Sequence, residues 1–351
     1  MIAILQPHVP HYREQFFKIL EKHEKTDIVC YDLEESKNNN FSGANIPVVG
    51  IKVFQVGPLL LYNPFQFLQK KYDILVLMLH FGHFSTWLLL STKWIHHKKI
   101  ILWGQGISVK RYLEEEKNPD WKLKWMIALS NGVWIYTEKE AEQWKRLFPK
   151  KPIVALNNTL PISCNPKPTI SEIQEYKDKH HITQKRILIF SARFENPYRR
   201  TDLLLKVINH LNPDEVGFII IGSGSLKPDF SAYKNVYDFG KLYDDEIKRE
   251  LFSIADIYFQ PGWVGLSIVE AMSYALPIFT FRRSEDIKQC VEYSYIENGV
   301  NGCLFTSTAE CIEKINSLAD SELKILGRNA QEQVRNQLNI ALMANTAISI
   351  I

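Results

Sequence analysis

Short apolar runs alternate with amphipathic segments along almost the whole chain, and this alternation constrains the fold more than any other feature. AILQP, DILVLML, KIILWG and GVWIYT occur in the first half. Each is too short and too rich in β-formers to be a core helix, so each reads as a buried parallel strand. Between them, HYREQFFKILEKH and FSTWLLLSTKWI read as amphipathic helical segments. The second half repeats the rhythm, with RILIFSA, GFIIIGSG, ADIYFQP and PIFTF as strands and DLLLKVINHL, DDEIKRELFSI and LSIVEAMSYAL as helices. Strand and helix in strict alternation predict an α/β protein built on doubly wound parallel sheets.

A break divides the two halves. LPISCNPKPT, residues 160–169, holds Pro161, Pro166 and Pro168, and proline at this density stops both helix and sheet, so the stretch reads as a hinge. The 351 residues suit two domains of ordinary size. The expected organisation is a Rossmann-like domain over 1–162, a second over 163–330, and a C-terminal helical segment over 331–351 that packs back toward the first. Two such domains would face each other across a cleft.

The formal net charge of +3 hides an asymmetry: residues 1–165 hold 21 lysines and arginines against 15 carboxylates, and seven of the eight tryptophans. A basic, aromatic-rich half suits an anionic or membrane-proximal partner, although uneven scatter of surface lysines gives the same count. Five cysteines without a CxxC pair point to a reducing compartment rather than a disulfide framework or structural zinc. The chain opens directly on an apolar run, and its longest apolar stretches fall well short of about 20 residues. The expectation is a cytoplasmic protein, with the inner face of the cell membrane as a further place of action.

Ligands of open parallel sheets bind beyond the carboxyl ends of the strands. After RILIFSA comes RFENPYRRTD, which sets Arg193, Arg199 and Arg200 ahead of a helix. A helix N-terminus and guanidinium groups both favour an anion; a solvated arginine cluster is the plainer reading. IGSGS follows the next strand, and Gly222 and Gly224 permit close backbone approach without completing a dinucleotide fingerprint. PGWVGLSIVEAMSYALP, residues 261–277, runs from an open turn into a helix. The free amides of Gly265, Leu266 and Ser267 suit a phosphate. Glu270 could accept hydrogen bonds from a ribose diol, or could close a capping box with Ser267.

This stretch resembles the donor-site signature of retaining glycosyltransferases of the GT-B fold, family 4 or group 1 type. SARFENPYRRTDLLL, FIIIGSGSL, VYDFGKLYDDEIKRELFSIADIYFQP and IENGVNGCLF occur in the family's order. The resemblance implies a donor diphosphate held by Arg193 and Arg199 and by the amides of Gly265, Leu266 and Ser267. It implies ribose on Glu270, and the base against the segment that holds Phe239, Gly240 and Leu242. Arg193, Arg199 and Glu270 are then the residues implied in catalysis, with Gly222 and Gly224 also on the donor side. Arg199 stands where lysine is usual, in a loop one residue longer. The family's pattern of Glu, seven residues, Glu begins here at Gly262, so the carboxylate that normally lies near the donor sugar is missing.

In the first half three strand ends bring polar side chains forward. AILQP leads to His8, His11, Tyr12 and Arg13, LVLML to His80 and His83, and KIILW to Gln105. These groups can bind sugar hydroxyls or an anionic acceptor. Neither HxxH pair has an acidic third ligand nearby, so no metal is expected. VALNNTLP, with Asn157 and Asn158, resembles the family's interdomain asparagine region. WKLKWMIALSNGVW, residues 121–134, reads as a membrane-surface face or as an ordinary helix that buries Trp125 and exposes its lysines.

The chain lacks the DxD, GxSxG, HExxH and P-loop patterns, and shows no recognisable nucleic-acid module. The resemblance therefore implies transfer of a sugar from a UDP- or GDP-linked donor to a glycan or lipid-linked glycan, with retention and without metal or other cofactor. Surface polysaccharide or lipopolysaccharide assembly is the expected setting. Two alternatives are a sugar-nucleotide epimerase, and an inactive nucleotide- or glycan-binding protein for which Gly262 is the main argument.

Overall fold

A computed structural model describes residues 1–32, 46–164 and 168–351; Pro166 of the expected hinge lies outside the described residues. The chain forms two compact units. The first comprises Met1–Pro161 with Leu338–Ile351, the second Ile162–Gln337.

The first unit holds β1 (Ile2–Gln6), β2 (Thr26–Cys30), β3 (Val48–Gly50), β4 (Val53–Val56), β5 (Leu59–Tyr62), β6 (Ile74–Met78), β7 (Lys99–Gly104), β8 (Gly132–Ile135) and β9 (Ile153–Ala155). Seven of these form one sheet in the order β3-β2-β1-β6-β7-β8-β9, with every pairing parallel. β4 and β5 form a separate antiparallel hairpin. Alternate strand residues enter opposite cores, as a period of two requires. Leu75, Leu77, Ile100 and Leu102 enter one core, and Ile2, Ile4, Val76 and Ile101 the other.

The second unit holds β10 (Arg186–Ser191), β11 (Val216–Ile221), β12 (Val236–Asp238), β13 (Ile257–Phe259), β14 (Ile278–Phe281) and β15 (Gly302–Phe305). Its sheet runs β12-β11-β10-β13-β14-β15, again wholly parallel. Both units are therefore doubly wound α/β sheets. Each reverses strand order at one point, between β1 and β6 in the first and between β10 and β13 in the second. Ligands of such sheets bind in the crevice at that reversal.

The C-terminus divides between the units. Asp320–Asn336 is one unbroken helix that buries Leu323, Leu326, Ala330 and Val334, and the sequence boundary at 330 falls inside it. Its polar outer face gave no reason to expect a domain edge, and the unit boundary comes at Gln337. The helix Ile340–Ile348 then packs Met343, Ala344 and Ala347 into the first unit's core beside Phe16, Trp103 and Trp134. Thr159 Oγ1 donates to Leu338 O at 2.7 Å and Lys99 Nζ to Ile351 O at 2.6 Å, which fixes this segment there.

Candidate functional site

At the strand reversal of the second unit, the stretch between β13 and the helix Ser267–Ser273 is held from several sides. Gln260 is fully buried and makes four hydrogen bonds. Its Nε2 donates to Gly262 O at 3.0 Å and Trp263 O at 2.7 Å. Its Oε1 accepts from Tyr258 Oη at 2.9 Å and Ser267 Oγ at 3.2 Å. Gln289, also fully buried, accepts from Val264 N at 2.9 Å. Trp263 N donates to Lys288 O at 2.8 Å, and the Trp263 ring stacks on Tyr198 with centroids 5.0 Å apart. Trp263 itself adopts φ +54°, a left-handed conformation that a bulky residue keeps only when its surroundings enforce it. These bonds give the turn its open shape and fix it ahead of any ligand. Ile268 N and Val269 N make the first bonds within the helix, to Gly265 O and Leu266 O, so the amides of Gly265, Leu266 and Ser267 precede them.

Arg199 crosses to this turn from the neighbouring loop after β10. Its Nη1 donates to Trp263 O at 2.7 Å, and its buried Nε has no partner among the described residues. No carboxylate pairs with it there either. Burial is the largest influence on its acidity and lowers the guanidinium pKa, and the charge of Arg193 lowers it further. A half-buried cation with unspent donors and no counter-ion is poised for an anion. Arg193 is exposed on the same loop. Arg200 differs, because it forms a bidentate pair with Asp202 at 2.8 and 2.7 Å and donates to Asp286 O. Its charge is spent within the fold.

Glu270 sits one turn into the helix, where Lys248 Nζ binds its Oε1 at 2.6 Å. The capping-box reading does not hold. Ser267 turns its hydroxyl to Gln260, the helix has no side-chain cap, and Glu270 pairs across to another helix. Its carboxylate is held facing the Asp245–Ile254 helix rather than its own first turn. The structure also gives Gly262 a reason. A Cβ there would lie 2.4 Å from Tyr198 O and 3.0 Å from Arg200 Cγ. The turn Pro197–Arg199 covers the position where a glutamate would begin, so the longer arginine loop and the glycine form one feature.

The remaining donor-side positions divide. Gly222 and Gly224 have φ +138° and +151°, and Cβ atoms on them would lie 2.0 Å from Ala192 O and 2.5 Å from Phe194 C. Their glycine requirement is therefore met by the adjoining β10 loop, to which Phe194 N–Ser223 O and Leu226 N–Phe194 O bonds tie them. Phe239 and Leu242 are half-buried around Gly240, whose φ is +59°, and the Phe239 ring meets His180 edge-on. Lys248, Gln260, Gln289 and Trp263 were not singled out from the sequence. Only the position of Gln260 directly after a strand offered a signal.

At the strand reversal of the first unit, His83 is 5% exposed and burial pushes its imidazole down to about 4. Its ring lies edge-on to Tyr31 and Tyr62 and 5.3 Å from His80. His80 is exposed and stacks on Phe81. Burial also lowers the pKa of His8, against the charge of Asp32. His11 is exposed, while Tyr12 and Gln105 are half-buried. Arg13 and Asn158 correct the sequence reading. They are 6% and 3% exposed, hydrogen-bonded to each other, and Arg13 also reaches Met343 Sδ and the Trp103 ring. Both side chains are committed to the interior, where they join the start of the unit to its C-terminal helix.

A recess of about 320 Å³ lies at the opposite end of the second sheet, lined by Arg186, Asp256 and Leu323. It opens where β10 begins and just before β13, away from the loops described above. Among the described residues no group of three or more His, Cys, Asp or Glu side chains could hold a metal ion.

Comparison with known proteins bears on this arrangement. Residues 185–321 match the family model "Glycosyl transferases group 1". The Anabaena protein HepE, solved with UDP, superposes with TM-score 0.69 at 14% identity, covering 99% of this chain and 98% of that one. WaaB, described as a lipopolysaccharide outer core galactosyltransferase, gives TM-score 0.65 at 14% identity over 100% and 99%. The fold is GT-B. A Listeria monocytogenes protein, described as a candidate UDP-N-acetylglucosamine 2-epimerase, shares this fold at TM-score 0.61 and 11% identity, over 99% and 94%. No curated protein matches at the level of sequence. The matched segment contains every element of the β10/β13 site, from Arg193 to Glu270.

Proposed function

We propose that this protein is a GT-B glycosyltransferase that moves a hexosyl unit from a nucleotide sugar to a glycan or lipid-linked glycan acceptor, with retention of configuration. The observation that carries the reading is Arg199, a half-buried cation without a counter-ion, fixed on a prearranged turn inside the segment that matches group 1 glycosyltransferases. In this reading Arg199, Arg193 and the amides of Gly265, Leu266 and Ser267 receive the diphosphate. Glu270, steadied by Lys248, accepts from the ribose hydroxyls. As the bond from the sugar to the diphosphate breaks, negative charge grows on the leaving phosphate. Fixed donors stabilise that charge without reorganising, about 2–4 kcal/mol for each well-placed one. The guanidinium groups supply the positive charge, so the reading requires no metal.

The HepE structures hold UDP or UDP-glucose, which makes a UDP-linked donor the first choice and a GDP-linked one the second. The neutral imidazole of His83, with His8, His80 and Gln105, suits a hydroxyl-rich acceptor better than an anionic one. The setting we favour is cytoplasmic assembly of surface polysaccharide or lipopolysaccharide. Release of nucleoside diphosphate from UDP- and GDP-sugars, with and without candidate acceptors, tests the reading. Arg199→Ala should lower turnover by about 100- to 1,000-fold, and release should depend on acceptor. Interconversion of the donor sugar without acceptor would favour an epimerase.

Gly262 favours a second reading, a nucleotide- or glycan-binding protein without turnover, because no carboxylate can stand at that position. Tight nucleotide binding with no transfer to any acceptor would establish it.

A further inference from the structure

The helices Phe84–Ser91 and Trp121–Leu129 of the first unit are apolar on both faces. Their inner faces bury Leu89, Leu90, Leu123, Met126 and Ile127. A surface helix of this kind normally turns polar residues outward. Here the outward positions are Phe84 and Leu88 on one helix and Trp121 and Trp125 on the other, with Trp121 66% and Trp125 60% exposed. Burial of Trp125, one of the two sequence readings, is therefore excluded. The short helix Lys93–His96 adds Trp94, 74% exposed, and Ile95.

These side chains form one surface. Lys122 Nζ lies 4.6 Å from the Phe81 ring centroid, just ahead of the first helix. Lys93 Nζ donates to Leu129 O at 2.6 Å, at the far end of the second. Ties at both ends set the two helices side by side and running in the same direction, so Phe84 and Leu88 flank Trp121 and Trp125. The charge of the surface has one sign. Its charged side chains are Lys93, Lys122 and Lys124, and residues 81–99 and 121–131 hold no aspartate or glutamate. Among the described residues no ion pair engages Lys93, Lys122 or Lys124. The nearest carboxylate on the second helix, Asp120, caps it and pairs with Arg111.

We infer that this face docks on the surface of an anionic lipid bilayer. Exposed tryptophans for the headgroup level, aliphatic side chains and lysines set among them form the chemistry of an interfacial helix pair. An exposed apolar patch of this breadth marks an interaction surface, and the absence of carboxylates selects an anionic partner. No helix among the described residues is long and apolar enough to cross a membrane, so the contact is peripheral. The docking does not depend on the transfer chemistry.

Co-sedimentation of the full chain with vesicles tests the inference. Binding is expected to equimolar phosphatidylglycerol and phosphatidylcholine, not to phosphatidylcholine alone, and should weaken as salt is raised. Lys122→Ala and Lys124→Ala should each lower partitioning about fivefold, and Trp121→Ser with Trp125→Ser by about tenfold or more. Nucleotide-free thermal unfolding of each variant should stay close to wild type, which separates lost docking from lost folding. Absent binding to anionic vesicles, or binding unchanged in these variants, would overturn it. So would sedimentation as a dimer that Trp121→Ser converts to monomer, because the face would then join two copies of this chain.

Discussion

The two strand reversals share a topology and differ in what they offer a ligand. At β10/β13 the turn 261–266 is clamped by buried amides, and Arg199 brings positive charge without a counter-ion. At β1/β6 the corresponding arginine, Arg13, is folded into the core, and a buried imidazole that stays neutral faces the strand ends. The same topology thus presents a rigid cationic edge in one unit and an edge of polar and aromatic side chains without a free arginine in the other. A diphosphate needs the first, and a polyol is met by the second. What distinguishes the edges is the fate of one guanidinium: spent on Asn158 and Met343 in the first unit, and left with unspent donors in the second.

The largest effect should come from equalising the edges. Arg199→Ala removes the uncompensated cation, with the loss of turnover given above and a parallel loss of nucleoside diphosphate affinity. Affinity for neutral sugars, measured by calorimetry, should hardly change. Next in size is the clamp itself. Gln260→Leu strands the carbonyl of Gly262 and the hydroxyl of Ser267, and should lower stability in urea by about 3 kcal/mol. The matching change at the other edge, Gln105→Leu, should be nearly neutral because Gln105 is only half-buried.

His83 sharpens the contrast through pH. In the unfolded chain its imidazole takes a proton near the ordinary value of 6.5, but in the folded protein only at about 4. Between those values the unfolded state binds more protons, so stability falls as pH drops from about 6.5 toward 4. The full effect is on the order of 3 kcal/mol. Above neutral pH it contributes nothing. His83→Gln should flatten this part of the urea-midpoint profile. A further loss of about 1–3 kcal/mol is expected of Gly262→Ala, since the new methyl group meets the Tyr198 carbonyl.

Much of the architecture could be read from local pattern. The alternation of apolar runs and helical segments foretold two doubly wound sheets, because strand burial and helix amphipathicity are each set by residues close in sequence. Contacts between distant residues were not legible. Arg13 and Asn158 are 145 positions apart, and nothing in either neighbourhood shows that they cancel each other's role. Gln260 and Gln289 look like ordinary polar residues until their burial is known. Gly222 and Gly224 suggested a ligand, whereas the space they leave is filled by the next loop. Glu270 was ambiguous between cap and ligand contact, and the bond from Lys248 that rules out the cap comes from another helix.

The central claim is that the cationic edge of the second unit binds a nucleoside diphosphate with Glu270 on the ribose. Thermal unfolding with UDP, and with GDP, ADP, TDP and CMP for comparison, tests it in wild type and Glu270→Ala. At about 100 times its dissociation constant the cognate nucleotide should add roughly 2.7 kcal/mol of stability to the wild type. Glu270→Ala should lose most of that gain while keeping its own unliganded stability. No stabilisation by any of the five, or equal stabilisation of both proteins, would contradict the account.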